Sequence, residues 1–117
     1  MKGISVTQVT TGVISKELAD EITGTMINNL PLLVTIVDND VNYQYLVTFL
    51  ESLLDEYIET KRIITGSVHM MNTSHNTTYV GVKYMQYNCI MQTTLIYGFT
   101  EIEDDKVEQK SPGLFTT

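Results

Sequence analysis

The chain has 117 residues, of which 43% are hydrophobic and 18% charged, and this composition predicts one globular domain rather than a disordered or multidomain protein. Its 14 acidic and 7 basic residues give a net charge of −7, which repels nucleic acid and acidic lipid. We therefore expect neither direct nucleic-acid binding nor membrane binding.

The first third of the chain predicts a strand, a helix and a second strand. Residues Ile4 to Ile14 are rich in Val, Ile and Thr, which favours a strand. Ser15 is a suitable helix N-cap, and Pro31 is expected to end the helix that follows. An apolar residue recurs in that helix at every fourth position: Leu18, Ile22, Met26 and Leu30. The apolar run from Leu32 to Val37 predicts a short central strand covered on both faces.

The strongest periodic pattern in the chain follows. Apolar residues recur at helical spacing over four turns: Leu46, Phe49, Leu50, Leu53, Leu54, Tyr57 and Ile58. Acidic residues occupy the opposite side of the same segment, and Lys61 and Arg62 suit the negative end of a helix dipole. The pattern predicts a helix from about Val41 to Arg62.

The remaining third changes to a period of two, which predicts strands. Three segments alternate in this way and are separated by short polar turns: Val68 to Ser74, Thr77 to Gln86 and Cys89 to Glu101. They predict an antiparallel meander. The predicted order is β-α-β-α-β-β-β, an α+β fold with two helices packed on one face of a mixed, mainly antiparallel sheet.

The C-terminal residues are expected to lie outside this fold. Residues 1–105 form the predicted domain, and 106–117 form a flexible acidic and polar tail. Leu114 and Phe115 are two large apolar residues near the end of that tail. They are candidates for docking onto another protein or onto the sheet.

The meander indicates self-association, because its second strand carries large apolar groups on both parities. Two helices cover only one face of a sheet, and monomers rarely expose large apolar patches. A homo-oligomer, with a dimer as the first expectation, would cover the rest. The candidate interface residues are Tyr79, Val80, Val82, Tyr84, Met85, Ile90 and Ile96.

No catalytic residue or cofactor is predicted, because no motif survives a check of its spacing. Asp38 and Asp40 follow an apolar segment and are weak candidates for a metal ion, but a helix cap or turn explains them better. The two histidines, His69 and His75, are not spaced as zinc ligands. The lone Cys89 has no neighbouring base and forms no intrachain disulfide.

The amino-acid usage indicates a source. One alanine and one arginine, against abundant Thr, Asn, Tyr and Ile, are typical of an AT-rich genome. With the small size, this favours a viral or phage protein found in the host cytoplasm or the virion, and no signal peptide is predicted. The leading hypothesis is a non-enzymatic interaction protein that self-associates through its sheet, as an assembly component or a modulator of a host protein.

Two rival hypotheses belong to other classes. A small-molecule or nucleotide-binding protein, with sites at subunit interfaces, would use a group of tyrosines to stack a base: Tyr43, Tyr45, Tyr79, Tyr84, Tyr87 and Tyr97. A metal-dependent enzyme would use Asp38 and Asp40.

Overall fold

A computed structural model of the protein describes residues 3–38, 40–87 and 91–102. It contains a helical layer and an antiparallel sheet, so the predicted α+β class with helices packed on a sheet is confirmed. The elements in chain order are β1 (Gly3–Thr11), α1 (Lys16–Leu33), β2 (Thr35–Val37), β3 (Asp40–Asn42), α2 (Gln44–Glu59), β4 (Thr65–Ser74), β5 (Thr77–Met85) and β6 (Gln92–Ile102).

The main sheet has four strands in the order β1-β6-β5-β4. The predicted meander of the last three strands is confirmed, and the first strand joins it by pairing with the last, from Gly3 opposite Ile102 to Thr11 opposite Thr94. Every described pair of strands is antiparallel. The sheet is therefore antiparallel rather than mixed, because the segment expected as its central strand lies elsewhere.

That segment, Leu32 to Val37, is the main correction to the predicted elements. Its first two residues belong to α1, and Leu32 is 78% exposed. Pro31 does not end the helix but lies in its last turn. Its φ angle is compatible with a helix, although the turn loses the hydrogen bond that the missing N–H would donate. The helix closes instead where Val34 N–H donates to the Leu30 carbonyl at 3.0 Å.

The residues after α1 form a small hairpin that the sequence pattern did not predict. Strand β2 pairs with β3, with Val37 opposite Asp40. Asp38 has a φ of 52°, which Asp tolerates better than most residues and which tight hairpin turns require. Asp38 therefore serves the turn rather than capping α2. The backbone N–H of Gln44 is bound instead by the Asn42 side chain, at 2.9 Å.

The core lies between the two helices and one face of the sheet. The predicted stripe of α1 is fully buried, and so are Leu46, Leu50, Leu54 and Tyr57 of α2. They meet side chains from the two middle strands, which are Val80, Val82, Tyr84, Leu95, Tyr97 and Phe99. Packing of these side chains fixes which sheet face is covered by helices and which face is open.

Candidate functional site: the outer face of the sheet

Alternation along β5 and β6 assigns the predicted interface residues to opposite faces. Val80 lies opposite Tyr97, and Val82 lies opposite Leu95, so these side chains share one face. That face is the one under the helices, where Val80, Val82 and Tyr84 are 0% exposed. These three residues belong to the core and are removed from the predicted interface.

Three of the other predicted residues lie on the open face. Tyr79 is 37% exposed, and Met85 and Ile96 are half-buried. Ile90 lies outside the described residues, as do Leu114 and Phe115 of the predicted docking tail. The open face, which we call the outer face, is therefore the part of the predicted interface that the fold leaves accessible.

Two glycines shape the centre of the outer face. Gly81 has no side chain to occupy this face, and Met71 lies across it, with its sulfur 3.3 Å from the position of a Cβ at residue 81. Tyr79 covers Gly98 in the same way, with its Cε1 3.2 Å from the corresponding position. Aromatic cover over a strand glycine restores packing that the missing side chain would supply.

Aliphatic side chains extend this centre towards the first strand. Val9 pairs with Ile96, and Ile96 pairs on its other side with Gly81. Val9 is 56% exposed and Met71 48% exposed. We call Val9, Met71, Tyr79 and Ile96 the outer patch. Of these four, Val9 and Met71 were not predicted. They lie on the edge strands β1 and β4, and the sequence alone did not show which alternate residues of those strands share a face with Ile96.

The outer patch has a polar rim of hydroxyl groups. Threonines and a serine occupy the surrounding outward positions: Ser5, Thr7, Thr11, Thr77, Thr94 and Thr100. The Thr77 and Thr100 hydroxyls are hydrogen-bonded to each other at 2.9 Å. Lys83 is the one charged residue among the outward positions of the four strands. An apolar centre within a mostly neutral polar rim is the anatomy of a protein interface.

A groove of about 600 Å³ opens at the start of α2, away from the outer face. Its lining combines aliphatic and amide side chains with one carboxylate: Asp40, Val41, Asn42, Tyr43, Gln44, Val47, Thr48 and Met70. Asp38 and Asp40 are both exposed beside the hairpin turn. Within residues 3–38, 40–87 and 91–102, no three His, Cys, Asp or Glu side chains are grouped to hold a metal ion.

The tyrosines proposed to stack a base do not form one surface. Tyr43, Tyr84 and Tyr97 are buried, and burial is the main cause that raises the pKa of each, to about 12 for Tyr43 and Tyr97. Tyr45 and Tyr87 are exposed, and Tyr79 belongs to the outer patch. Base stacking by the group as a whole is therefore excluded.

Among the described carboxyl groups, Glu21 has the most perturbed pKa, and it belongs to a contact between the helices. Glu21 of α1 accepts two hydrogen bonds from Arg62, at 2.7 and 2.8 Å, and a third from the Tyr57 hydroxyl at 2.8 Å. These bonds lower the pKa of Glu21 from 4.5 to about 2, Arg62 first and Tyr57 second. The Arg62 guanidinium also lies 4.7 Å from the centre of the Tyr57 ring. Since all three groups are satisfied by one another, we interpret the contact as structural.

The two histidines, both in the described part of the chain, do not lie together in one site. His69 lies on the outer face, 3.1 Å from the Ser67 hydroxyl, and His75 lies in the turn between β4 and β5 with a φ of 51°. Cys89 lies outside the described residues.

The described residues form an α+β domain in which the helices cover one face of the main sheet and leave the outer face uncovered. Comparison with protein-family models, curated proteins and solved structures found no match to the chain. Neither helix in the described part of the chain is long and apolar enough to cross a membrane.

Proposed function

We propose that this protein is a non-enzymatic interaction protein of viral or phage type that self-associates through its sheet, as an assembly component or a modulator of a host protein. The observation that supports the proposal is the outer patch on a sheet whose other face packs against the helices along its two middle strands. The AT-rich amino-acid usage supports the viral source, with the host cytoplasm or the virion as the expected location.

The composition of the outer face favours association over a purely solvated surface. Val9, Met71, Tyr79 and Ile96 come from the four strands of one sheet. Val9 pairs with Ile96, Ile96 pairs with Gly81, and the Met71 side chain lies over Gly81, so apolar groups follow one another across the outer face. Lys83 is the one charge near them, which keeps the desolvation cost of an interface low. Methionine and tyrosine are among the residues enriched at interface cores.

The free energy gained by burying the outer patch is too small to hold two copies together by itself. Burying the exposed half of four such side chains contributes about 4 kcal/mol. Association of two proteins costs about 4–15 kcal/mol before any net affinity appears. A stable complex therefore needs further contacts from the rim or from the strand edges.

Light scattering at micromolar concentration tests self-association. We expect the natural chain to exceed the mass of a monomer. Val9→Thr combined with Ile96→Thr should shift it towards monomer, since threonine keeps the β-branched shape that favours strands while removing apolar area. Val13→Thr is the matched control, because Val13 is exposed in the loop after β1 and lies off the outer face.

Two results would count against the proposal. A natural chain that is monomeric at every concentration removes self-association. Equal association of the double variant and the natural chain, with Val13→Thr also unchanged, removes the outer patch as its cause.

The groove at the start of α2 favours a second candidate function, the binding of a small molecule such as a nucleotide. Its volume of about 600 Å³ lies within the range of ligand sites. Val41, Val47 and Met70 would contact an apolar or aromatic group, while Asn42 and Gln44 offer hydrogen bonds. A thermal-shift panel of nucleotides tests this, because a ligand at a hundred times its Kd stabilises a protein by about 2.7 kcal/mol. An unchanged melting temperature across the panel would contradict it.

A further inference from the structure

The two edges of the main sheet differ from those of most monomeric proteins. Strands β1 and β4 are the outermost strands, and each pairs with a neighbour on one side only among the described residues. A strand edge carries backbone N–H and C=O groups that pair with another strand unless something prevents it. Monomeric proteins usually prevent such pairing with short edge strands, proline, charged residues or a covering segment.

Neither edge strand is protected by proline or by a charged side chain, and the irregularity in β4 affects only its second half. Strand β1 (Gly3–Thr11) has nine residues with no proline and no charged side chain. Strand β4 (Thr65–Ser74) has ten residues, also without proline, and His69 is its one titratable side chain. A register shift between Met70 and Thr73 leaves Thr65–Met70 as the regular part of β4. The first six residues of β4 therefore form a regular edge. Strand β1, with nine residues, is long enough to pair with all six.

The direction of the strands indicates which partner fits these edges. Strand β1 runs antiparallel to β6, β6 to β5, and β5 to β4, so β1 and β4 run in opposite directions. A second copy placed beside the first in the same orientation brings its β1 antiparallel to the β4 of the first. Its helices then lie on the same side of the joined sheet, and the outer faces are continuous.

We propose that copies of this chain pair head to tail, β4 of one copy with β1 of the next, to form a continuous antiparallel sheet. This proposal rests on the proposed self-association and adds a contact through the strand edges to the contact through the outer patch. The interface is heterologous, so the assembly grows beyond a dimer into a ring or a filament.

The side chains at the two edges are complementary. Val9 projects from β1 and Met71 from β4, both onto the outer face. Pairing of the edges brings Val9 of one copy and Met71 of the next onto the outer face of one joined sheet, and their separation along the strands depends on the register. Neither strand brings a carboxylate to the junction, although the chain carries a net charge of −7. Cross-strand apolar pairs of this kind stabilise sheets.

Cysteine cross-linking distinguishes this arrangement from the alternatives. In a Cys89→Ser background, Thr7→Cys marks the outer face of β1, and Ser67→Cys or His69→Cys marks that of β4. Two β4 positions are used because the proposal does not fix the register between β4 and β1, and each position samples a different register. The reagent is a short bismaleimide, and circular dichroism confirms that each variant is folded.

The expected result follows from strand spacing. Across a β4–β1 junction the marked residues lie on adjacent strands, and a register that places them opposite each other brings them to about 5 Å. Equivalent residues of successive copies are four strands, or about 19 Å, apart. We expect cross-links when the β1 and β4 variants are mixed and none when either variant is treated alone. A variant with both cysteines should give a ladder of trimers and larger species.

Other outcomes overturn the proposal in recognisable ways. Cross-linking of the Thr7→Cys variant alone indicates pairing of β1 with β1, a closed dimer. Absence of cross-links in all mixtures, while light scattering still detects oligomers, means that copies meet through another surface and self-association itself stands. A chain that is monomeric by light scattering overturns both proposals.

Discussion

The contact between Glu21, Tyr57 and Arg62 gives the sharpest quantitative prediction. Arg62 is the chain's one arginine and joins the end of α2 to the first half of α1. Replacing it by Met removes the charge and both hydrogen bonds but keeps an apolar stem. The Tyr57 hydroxyl still donates to Glu21, so the variant isolates what the guanidinium contributes.

The expected loss of stability is moderate because the pair is partly exposed. The side chains of Arg62 and Glu21 are 38% and 41% exposed. Solvent screening therefore limits the contribution of the ion pair to about 1 kcal/mol, although its hydrogen bonding is bidentate. The contact of the guanidinium with the Tyr57 ring adds about 0.5 kcal/mol. We expect Arg62→Met to lower the unfolding free energy by about 1–1.5 kcal/mol and the melting temperature by about 4–6 °C.

The contribution also has a defined pH dependence. The pKa of Glu21 is lowered on folding from 4.5 to about 2, so the stabilisation is fully present above about pH 4.5 and is lost as the pH falls towards 2. The natural chain should therefore lose more stability than Arg62→Met over this interval. The difference between the two proteins should be constant from pH 5 to neutrality and should shrink at about pH 3.

Urea unfolding followed by circular dichroism measures these differences. A double-mutant cycle with Glu21→Gln isolates the pair, with an expected coupling of about 1 kcal/mol. Lys61→Met is the matched control, since it removes a positive charge from the neighbouring position and should change stability by less than about 0.5 kcal/mol. A coupling near zero, or a difference between natural chain and variant that persists unchanged at about pH 3, would refute the reasoning.

Four further predictions concern the fold and the assembly. Gly12→Ala should destabilise the protein by at least about 2 kcal/mol in urea unfolding, since residue 12 has a φ of 65° and a Cβ there would collide with the Gln92 carbonyl. Gly24→Ala should instead stabilise it by about 0.5–1 kcal/mol in the same assay, since the site is helical and a Cβ meets nothing within 4 Å. Tyr97→Phe should cost about 1 kcal/mol, because it removes the buried hydroxyl contact of 2.9 Å with Thr23 while Thr23 keeps its bond to a backbone carbonyl. Raising the salt from about 0.05 M to about 0.5 M should increase the oligomer mass in light scattering, because it screens repulsion between acidic copies; a decrease would point to a charged interface instead.

The helices and the meander could be predicted because their periodicities are strong and local. The stripes Leu18–Leu30 and Leu46–Ile58 define one face of each helix, and packing against the sheet buries that face. The position of the first strand was not predicted in detail. Its place beside β6 depends on contacts between the two ends of the described chain, which no local pattern records.

The face assignment within β5 failed because both parities of that strand carry large apolar residues. Val80, Val82 and Tyr84 alternate with Tyr79 and Met85, so one strand alone does not indicate which set faces the helices. The neighbouring strand holds the missing signal. In β6, one parity is uniformly large in Leu95, Tyr97 and Phe99, whereas the other alternates Ile96 with threonines and Gly98. Reading both strands together would have identified the outer face.

The hairpin of β2 and β3 was missed for a different reason. A short apolar run before Asp38 is compatible with a central strand, and three-residue strands have too little pattern to be separated from it. The two residues between Val37 and Asp40 were nevertheless a hairpin signal, because Asp and Asn tolerate the positive φ that a tight turn requires.

The distribution of charge relates the fold to the proposed assembly. Three of the 14 acidic residues lie on α1 and four on α2, whereas the four strands of the main sheet carry Glu101 alone. Edge pairing and contact between outer faces both use the nearly neutral side of the molecule, and both leave the acidic helices in water. The helical layer then limits stacking of assembled sheets through like-charge repulsion, while the neutral strands permit growth within a sheet. Under this arrangement the net charge of −7 directs association to the sheet.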